Sequence, residues 1–400
     1  MKTAGMIIEY NPMHFGHVRL LAETRRRLGP DTAVICAMSG DFVQRGDFAI
    51  VRREARAAAA VRSGADLVLE LPLPWAVASA ERFADGGVQI LSASGAAEYL
   101  VFGSECGQGA ALERTAAALL SDRFPGYLKE ALADGVSFAA ARQKAAARLL
   151  SPADAALLER PNDILGVEYC KALLRQGSAL RPLAVRRVGA AHDQESAPGE
   201  LPSGAQIRAL LRTEERERAL ALMAPAMAAA YEAEESAGRA PVFWEVCQRS
   251  VLARLRSMEE ADFVFLDQSR EGLYHRLYRA SREARSLEEV LEAAKTKRYA
   301  YARLRRMVLW AYLGLTEFPE KVPYLRPLAA NERGRALLAD MRRKAALPVL
   351  TKPADVRKLS GPARTLFALE ARAADLYALA YPDLKAASGG SLWRSGPVMV

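Results

Sequence analysis

The first two hundred residues alternate between short apolar runs and longer stretches with helical periodicity. The apolar runs predict strands at 3–10, 32–38, 65–71, 97–103 and 182–189. Helices are predicted between them in "FGHVRLLAETRRRLG" (15–29), "VRREARAAAAVRSG" and "ASAERFADGGVQILSAS". Runs that are apolar throughout are typical of parallel strands covered on both faces, and right-handed crossovers join such strands through helices. The pattern therefore predicts an α/β fold with a Rossmann-like parallel sheet.

The rest of the chain is predicted to be mostly helical. A helical insert is expected over about 108–150, and a further helix over 161–177, where Pro161 suits a first turn. Beyond residue 215, strand signals are rare apart from "DFVFLD" (262–267), and long helices are predicted in "ERERALALMAPAMAAAYEAEE" and over 287–314. We therefore expect a Rossmann-like domain over 1–215, a helical domain over 216–385 and a loose Gly/Ser-rich tail over 386–400.

The charge balance favours a partner rich in phosphate. Lys and Arg number 56 against 47 Asp and Glu, which gives a net charge of +9. Such a surface is typical of nucleic-acid binding, although a source organism whose proteins are generally rich in arginine and alanine would give the same charge balance. The four cysteines contain no C-x-x-C pair, which argues against a zinc knuckle or a redox motif and fits a reducing cytoplasm. No signal peptide or membrane-spanning run is predicted, so we expect a cytoplasmic protein with no membrane partner.

Two of the four histidines lie in "NPMHFGH", between the first strand and the first helix. His14 and His17 would share one helix face at the carboxyl edge of the sheet, where a helix start favours phosphate. Gly16 would let a nucleotide approach, while Asn11 and Pro12 would shape the turn. Both imidazoles could then donate hydrogen bonds to an α-phosphate during an in-line displacement. The alternatives are a metal-binding pair, for which no third ligand is evident, and two ordinary surface histidines.

A second candidate lies in "SGAQIRALL" (203–211), at the start of the helix after the last predicted strand of the sheet. Ser203 would cap this helix, and Arg208 one turn later could clamp the outer phosphates of ATP. The alternative is a surface helix with an ordinary N-cap.

Two further stretches border the same predicted sheet edge. In "MSGDFVQRGD" (38–47), Gln44 and Arg45 could face the cleft, or the segment could be a capped loop. Asp66 and Glu70 flank the third predicted strand. They could form a pair of carboxylates for acid/base work, but we expect a structural role for Glu70, or a contact with a basic neighbour.

Basic residues suggest where RNA could bind. Arg52, Arg53 and Arg56 could reach RNA phosphates or form a solvated helix face. "KTKRYAYARLRRM" (295–307) interleaves cations with tyrosines, which could contact phosphates and stack on an unpaired base. The candidate contacts in this segment are Lys295, Lys297, Arg298, Tyr299 and Arg303. The alternative is an amphipathic helix whose tyrosines pack inward.

The motifs and their order resemble the bacterial tRNA(Met) cytidine acetate ligase family of the nucleotidylyltransferase superfamily. The resemblance covers nearly the whole chain, through "GMIIEYNPMHFGH", "MSGDFVQRGD", "GADLVLELP", "FGSE", "PNDILGVEY" and "TKRYAYARLRRM". It implies that ATP, with Mg²⁺ as its usual companion, activates acetate as acetyl-adenylate. It further implies that the acetyl group passes to N4 of the wobble cytidine of elongator tRNA(Met).

The resemblance also implies which residues bind ATP. The matching positions are Ile7, Ile8, Glu9, Tyr10, Asn11, Pro12, Met13, His14, Phe15, Gly16, His17, Val18, Arg19, Leu20, Gly103, Asn162, Arg187, Ser203 and Arg208. The chain departs from the family at Met13 and Phe15, where Phe and Asn are usual. It departs again at Gly204 and Ala205, where the family's late motif has a small residue and a Thr, so one phosphate-contacting hydroxyl is missing.

Two other functions fit parts of the sequence. A small-molecule adenylyltransferase would keep the fold but would not need a large basic helical domain. A non-catalytic RNA-binding protein would keep the basic surface, but the pair His14/His17 argues against it. Pyrophosphate release from ATP, tested with acetate and with tRNA, distinguishes the three.

Overall fold

The structure is a computed structural model that describes residues 2–187, 202–213, 215–267 and 272–400. Within these ranges the strands are β1 (Thr3–Ile8), β2 (Ala33–Ser39), β3 (Phe42–Val43), β4 (Asp47–Phe48), β5 (Leu67–Leu71), β6 (Tyr99–Ser104), β7 (Arg181–Arg186), β8 (Pro327–Ala330) and β9 (Val398–Met399). The α-helices up to residue 212 are α1 (Phe15–Leu28), α2 (Arg53–Arg62), α3 (Leu73–Ala76), α4 (Ala80–Ala93), α5 (Gly109–Leu119), α6 (Phe124–Ala133), α7 (Phe138–Ala147), α8 (Pro152–Ala155), α9 (Pro161–Gln176) and α10 (Gly204–Arg212). The later ones are α11 (Arg216–Leu222), α12 (Pro225–Ser236), α13 (Gln248–Ser257), α14 (Glu260–Val264), α15 (Leu273–Glu283), α16 (Leu287–Ala294), α17 (Tyr301–Leu313), α18 (Glu332–Lys344) and α19 (Gly361–Ala378).

The main sheet has the order β7-β6-β1-β2-β5-β8-β9, and its β7-to-β5 part is parallel throughout. Both faces are covered. In β2, Ala33, Ile35 and Ala37 pack into the core on one face, while Val34 and Cys36 pack into the core on the other. This two-sided burial explains why the strands are apolar throughout. The predicted Rossmann-like α/β fold is therefore confirmed, as are the helical insert and the helix over 161–177.

The sheet does not end where the sequence suggested. The strand expected at 182–189 is β7, whose last predicted positions 188–189 lie outside the described residues. On the opposite edge, β8 pairs antiparallel with β5, and β9 pairs with β8. The segment expected to be a loose tail thus ends in a strand of the main sheet. The division at residue 215 stays a prediction, with strands of one sheet on both sides of it.

Three local expectations about the helical half were wrong. The first residues of the stretch 262–267 belong to α14 rather than to a strand. The helix is favoured because the amide of Glu259 donates to Oδ2 of Asp262 in a capping box. The helix expected over 287–314 is interrupted at 295–300, where Nζ of Lys295 donates to the carbonyl oxygen of Tyr299 over 2.7 Å. The helix after residue 215 is interrupted before Pro225, whose ring suits only the first turn of α12.

Candidate active site at the strand-order reversal

A cleft opens where the order of the strands reverses. From β1 the chain proceeds to β2 and β5 on one side and to β6 and β7 on the other. Open α/β sheets bind ligands at the carboxyl ends of the strands at such a point. The cleft measures about 370 Å³, and its walls include the turn after β1, the end of β6, α9 and α10. The β3–β4 hairpin and the first turn of α17 complete it, so both halves of the chain contribute.

His14 and His17 cap the start of α1 reciprocally. The amide of Gly16 donates to Nδ1 of His14 over 3.1 Å, and the amide of His14 donates to Nδ1 of His17 over 3.2 Å. His14 thereby takes the acceptor role that Ser, Thr or Asp usually has at the N-cap, and His17 takes that of the Glu or Gln three residues later in a capping box. A Cβ at Gly16 would lie 2.9 Å from Cε1 of His14, so the capping ring itself requires glycine there.

This capping indicates the tautomer of each neutral ring. Since Nδ1 of each imidazole accepts a hydrogen bond, the neutral ring carries its proton on Nε2. The two ring centroids lie 3.8 Å apart, and the ring of Tyr10 lies 4.8 Å from that of His17. Both histidines line the cleft. Two neighbouring N–H donors at the positive end of a helix suit an anionic phosphate group.

The turn after β1 is joined to α10, the second predicted motif. Ser203 caps α10 by accepting from the amide of Gln206 over 3.1 Å. One turn later, Nη1 of Arg208 donates to the carbonyl oxygen of Asn11 over 2.6 Å. Burial lowers the pKa of Arg208. The guanidinium nevertheless stays positively charged, because the ordinary pKa of arginine is far above neutral pH. The structure therefore places Ser203 and Arg208 beside the histidine pair, as predicted.

Gly103, Asn162 and Arg187 meet at the same edge. Nη1 of Arg187 lies 3.4 Å from Oδ1 of Asn162, and a Cβ at Gly103 would lie 3.1 Å from Cγ of Arg187. Glu105 orients Asn162 by accepting from its Nδ2 over 2.6 Å and from its amide over 3.1 Å. Sequence reasoning missed this role of Glu105, although the residue belongs to the quoted motif "FGSE".

The opposite wall is the β3–β4 hairpin held by α17. Arg306 donates from Nη1 to the carbonyl oxygen of Gln44 over 3.2 Å, and Arg305 forms a salt bridge with Asp47 at 2.9 Å. Gly46, at φ 75°, packs against the backbone of Arg306, where a Cβ would lie 2.5 Å from the amide nitrogen. Gln44 and Arg45 line the cleft, as expected for this loop.

The predicted ATP residues divide into three groups. Most line the cleft, namely Ile7, Ile8, Glu9, Tyr10, Asn11, Pro12, His14, His17, Leu20, Gly103, Asn162, Arg187, Ser203 and Arg208. Gly16 and Arg19 line a smaller adjoining cavity of about 60 Å³. Met13, Phe15 and Val18 line neither, because Met13 is buried in the core, Phe15 is exposed and Val18 packs on the core edge.

Sequence reasoning missed other residues of the cleft wall, among them Phe83, Leu165 and Tyr169. Leu165 and Tyr169 follow Asn162 at intervals of three and four residues, so all three share one face of α9. This spacing could have identified them once the helix start was placed at the site.

The predicted RNA contacts are only partly exposed. Lys295, Lys297 and Arg298 are exposed in the interruption between α16 and α17. Tyr299 is buried, so its ring is not available to stack on a base, which corrects that expectation. Arg303 forms a salt bridge with Asp267 at 2.9 Å.

Two of the three basic residues at the start of α2, Arg53 and Arg56, are buried within the fold. Arg53 is buried and forms salt bridges with Asp41 at 2.5 Å and with Glu70 at 2.8 Å, which corrects its assignment to RNA. Arg56 is fully buried and donates to the carbonyl oxygens of Val51 and Ser39. Arg52 is half-buried and bonded to Glu234 over 2.8 Å. The expected contact of Glu70 with a basic neighbour is confirmed.

Two observations concern metal ions and membranes. Across the described ranges, no group of three or more His, Cys, Asp or Glu side chains is arranged to hold a metal ion. No helix in the described part of the chain has the length and apolar character needed to cross a bilayer.

Comparison with known proteins agrees with the geometry. The family model described as HIGH Nucleotidyl Transferase matches residues 1–391. The fold, the capped histidine pair and this match define a nucleotidyl transferase of the HIGH class. The tRNA(Met) cytidine acetate ligase of Acetivibrio thermocellus is 36% identical over 399 residues, which cover 96% of each chain. That of Thermotoga maritima is 35% identical over 415 residues, or 98% of this chain and 99% of the relative. The chain belongs to the tRNA(Met) cytidine acetate ligase family.

Solved structures match over the full length. The apo crystal structure of Thermotoga maritima TmcAL superposes with a TM-score of 0.95 at 33% identity, with 100% of both chains covered. The crystal structure of the same protein bound with alpha-thio ATP superposes with a TM-score of 0.93 at 32% identity, again over 100% of both chains.

Proposed function

We propose that this protein is an ATP-dependent ligase that converts acetate to acetyl-AMP and transfers the acetyl group to N4 of the wobble cytidine of elongator tRNA(Met). The observation that carries the proposal is the pair of capping imidazoles, His14 and His17, which line a cleft shared by both halves of the chain. The names of the relatives and the bound ATP analogue of one structural neighbour support it.

The first step joins acetate to the α-phosphate of ATP. An acetate oxygen attacks the α-phosphorus, and pyrophosphate leaves from the opposite side. Negative charge grows on the α-phosphate oxygens, where the two imidazole N–H groups and the positive start of α1 would stabilise it. Arg187 and Arg208, both partly buried, would supply cations for the remaining phosphate oxygens. Acetate would lie in the small space beside His14.

Mg²⁺ would travel with the nucleotide. The described residues offer no ready set of protein ligands for it, so phosphate oxygens and water would form most of its coordination shell. The ion would neutralise charge on the leaving pyrophosphate.

The second step brings in the RNA. The exposed cations of 295–298 immediately precede α17, whose first turn lines the cleft. An anticodon loop held by Lys295, Lys297 and Arg298 could therefore present a flipped cytidine to the adenylate. Such a tRNA acceptor agrees with a cytoplasmic location.

The test is pyrophosphate release from ATP. We expect release that depends on acetate, and N4-acetylcytidine in elongator tRNA(Met) by nucleoside mass spectrometry when tRNA is added. Release that needs a phosphorylated metabolite instead of acetate would favour a small-molecule adenylyltransferase. Absence of release with any acceptor would favour a non-catalytic RNA-binding protein.

A further inference from the structure

The cleft contains a carboxylate that the adenylation step does not use. Glu9 directly follows β1 and lines the cleft. Its Oε1 accepts from the amide of Gln44 over 2.7 Å, and Oγ of Ser39 lies 3.5 Å from the same oxygen. Among the described residues, no donor lies within hydrogen-bond distance of Oε2. A carboxylate beside a triphosphate site opposes ATP binding by charge repulsion, so its presence calls for a different function.

Glu9 faces the part of the cleft that borders the β3–β4 hairpin. The smaller adjoining cavity is lined by His14, His17, Gly103 and Arg187, but not by Glu9. Glu9 is instead bonded to the β3–β4 hairpin, which Arg306 of α17 holds through Gln44. The carboxylate therefore lies on the wall of the cleft that α17 supports.

The exposed cations of 295–298 directly precede α17 in the chain and adjoin this wall. Tyr301 and Arg305, from the first two turns of α17, line the same cleft as Glu9. A nucleotide whose backbone is bound at 295–298 would enter the cleft past Tyr301. We infer that Glu9 is the catalytic base that takes the proton from the cytidine N4 amine during acetyl transfer. This inference rests on the proposed function.

The transfer step needs such a group. The N4 nitrogen attacks the carbonyl carbon of acetyl-AMP, the new C–N bond forms, and the bond from that carbon to the phosphate oxygen breaks. AMP leaves with the bonding electrons, and the nitrogen must lose one proton to become a neutral amide. Oε2 of Glu9 accepts this proton and later passes it to water. Oε1 stays bonded to the amide of Gln44, so the carboxylate keeps its orientation throughout.

The surroundings of Glu9 suit this role. Loss of surrounding water raises the pKa of its carboxyl group, while Gln44 and the guanidinium groups of Arg56, Arg208 and Arg45 act in the opposite direction. A base is most effective when its pKa lies near the working pH, so a raised pKa strengthens a carboxylate as a proton acceptor. Surrounding cations keep the carboxylate in place without a direct salt bridge among the described residues.

The test separates the two chemical steps in the full-length protein. Step one is measured as acetate-dependent exchange of pyrophosphate into ATP, and step two as single-turnover acetylation of tRNA from synthetic acetyl-AMP. Glu9→Gln keeps the acceptor for the Gln44 amide but removes the base. We expect exchange within about threefold of wild type and transfer slowed at least about 100-fold, the usual range for loss of a general base. Wild-type transfer should also rise with pH along an acid limb that the variant lacks.

A matched control and three outcomes decide the matter. Glu23→Gln removes a carboxylate of α1 that pairs with Arg26 and Arg27 and does not line the cleft, so it should leave both steps unchanged. If Glu9 only orders the hairpin, Glu9→Gln transfers at the wild-type rate and the inference fails. If exchange falls together with transfer, Glu9 acts in adenylation and the inference also fails. If the wild type itself shows no acetate-dependent exchange, the proposed function fails instead.

Discussion

Arg208 donates from Nη1 to the carbonyl oxygen of Asn11 over 2.6 Å, which joins two segments that are 197 residues apart in the chain. The bond fixes α10 against the turn that leads into the histidine pair. A Cβ at Gly204 would lie 3.0 Å from the same carbonyl oxygen, so the small residue after Ser203 permits this close approach. The two motifs of the site therefore depend on one another for their geometry.

Arg208→Ala should reduce adenylation without unfolding the protein. The substitution removes a cation from the phosphate end of the cleft and releases the carbonyl of Asn11. We expect acetate-dependent pyrophosphate exchange to fall about 100-fold, as for loss of one electrostatic donor in other active sites. Arg212→Ala, one turn further along α10, removes a half-exposed surface pair with Glu245 and should leave exchange unchanged. Equal losses in the two variants would contradict the assignment.

His17→Ala should abolish adenylation while leaving the affinity for tRNA intact. The variant loses one Nε2–H donor and also the acceptor for the His14 amide, which should lower the free energy of unfolding by about 1 kcal/mol. Pyrophosphate exchange, tRNA binding and thermal unfolding measure the three effects. The control is His275→Ala, on the exposed side of α15, where the ring contacts Glu260. Normal acetyl-adenylate formation by the His17 variant would refute the catalytic assignment.

Gly46→Ala should destabilise the protein more than Gly135→Ala. Both glycines have positive φ, 75° and 71°, but a Cβ at Gly46 meets the backbone of Arg306 whereas one at Gly135 meets nothing within 4 Å. The left-handed strain alone costs about 1–2 kcal/mol. The steric contact should add about 2 kcal/mol at Gly46. Denaturant unfolding of both variants checks the difference. Equal unfolding midpoints would mean that the hairpin shifts away from α17 and so accommodates the added Cβ.

The double substitution Lys297→Ala and Arg298→Ala should weaken tRNA binding in a salt-dependent way. The logarithm of the affinity falls with the logarithm of the salt concentration, and each lost phosphate contact makes this fall less steep by about 0.7 for single-stranded RNA. Titrations of tRNA at several salt concentrations give the slope. The matched control is the pair Arg343→Ala and Lys344→Ala at the end of α18, whose side chains are exposed beside Asp340. A similar loss in the control would indicate a general charge effect rather than a binding site at 295–298.

Glu9→Gln should stabilise the protein at neutral pH relative to wild type. The folded state raises the pKa of Glu9 above its unfolded value, so the folded protein binds more protons and the wild type loses stability as the pH rises between the two values. Glutamine does not titrate and avoids this loss. We expect the difference in unfolding free energy to grow with pH from about 4.5, the ordinary glutamate value, towards neutral. A difference that stays constant over this range would show that Glu9 titrates normally.

Much of the site follows from local sequence. The strand before Glu9, the helix after His14 and the cap at Ser203 are each signalled within a few residues, because burial, capping and Pro/Gly turns act locally. The misplaced elements have local causes too. Glu259 and Asp262 form a capping box at the start of the stretch that looked like a strand, and after Ala294 the side chain of Lys295 binds the carbonyl oxygens of Thr296 and Tyr299.

The burial of charged side chains could not be predicted. Arg53 and Arg56 sit on an amphipathic-looking basic helix, yet both are buried because Asp41, Glu70 and main-chain carbonyls meet them from distant segments. Tyr299 likewise looks like an RNA-stacking residue until its position against the core is known. A charge run has the same sequence whether it faces solvent or a buried carboxylate.

By itself, the sequence determined that the fold contains a parallel sheet and where the first five strands of that sheet lie along the chain. It also determined the two motifs that contain His14, His17, Ser203 and Arg208. These features depend on hydrophobic periodicity and on capping chemistry, which act between near neighbours. The tertiary structure alone decided that β8 and β9 extend the sheet, that Arg208 binds Asn11, and that Glu9 is bonded to the hairpin that α17 supports. Each of these depends on contacts between segments far apart in the chain, whose pairing is selected by the packing of the whole fold rather than by any local pattern.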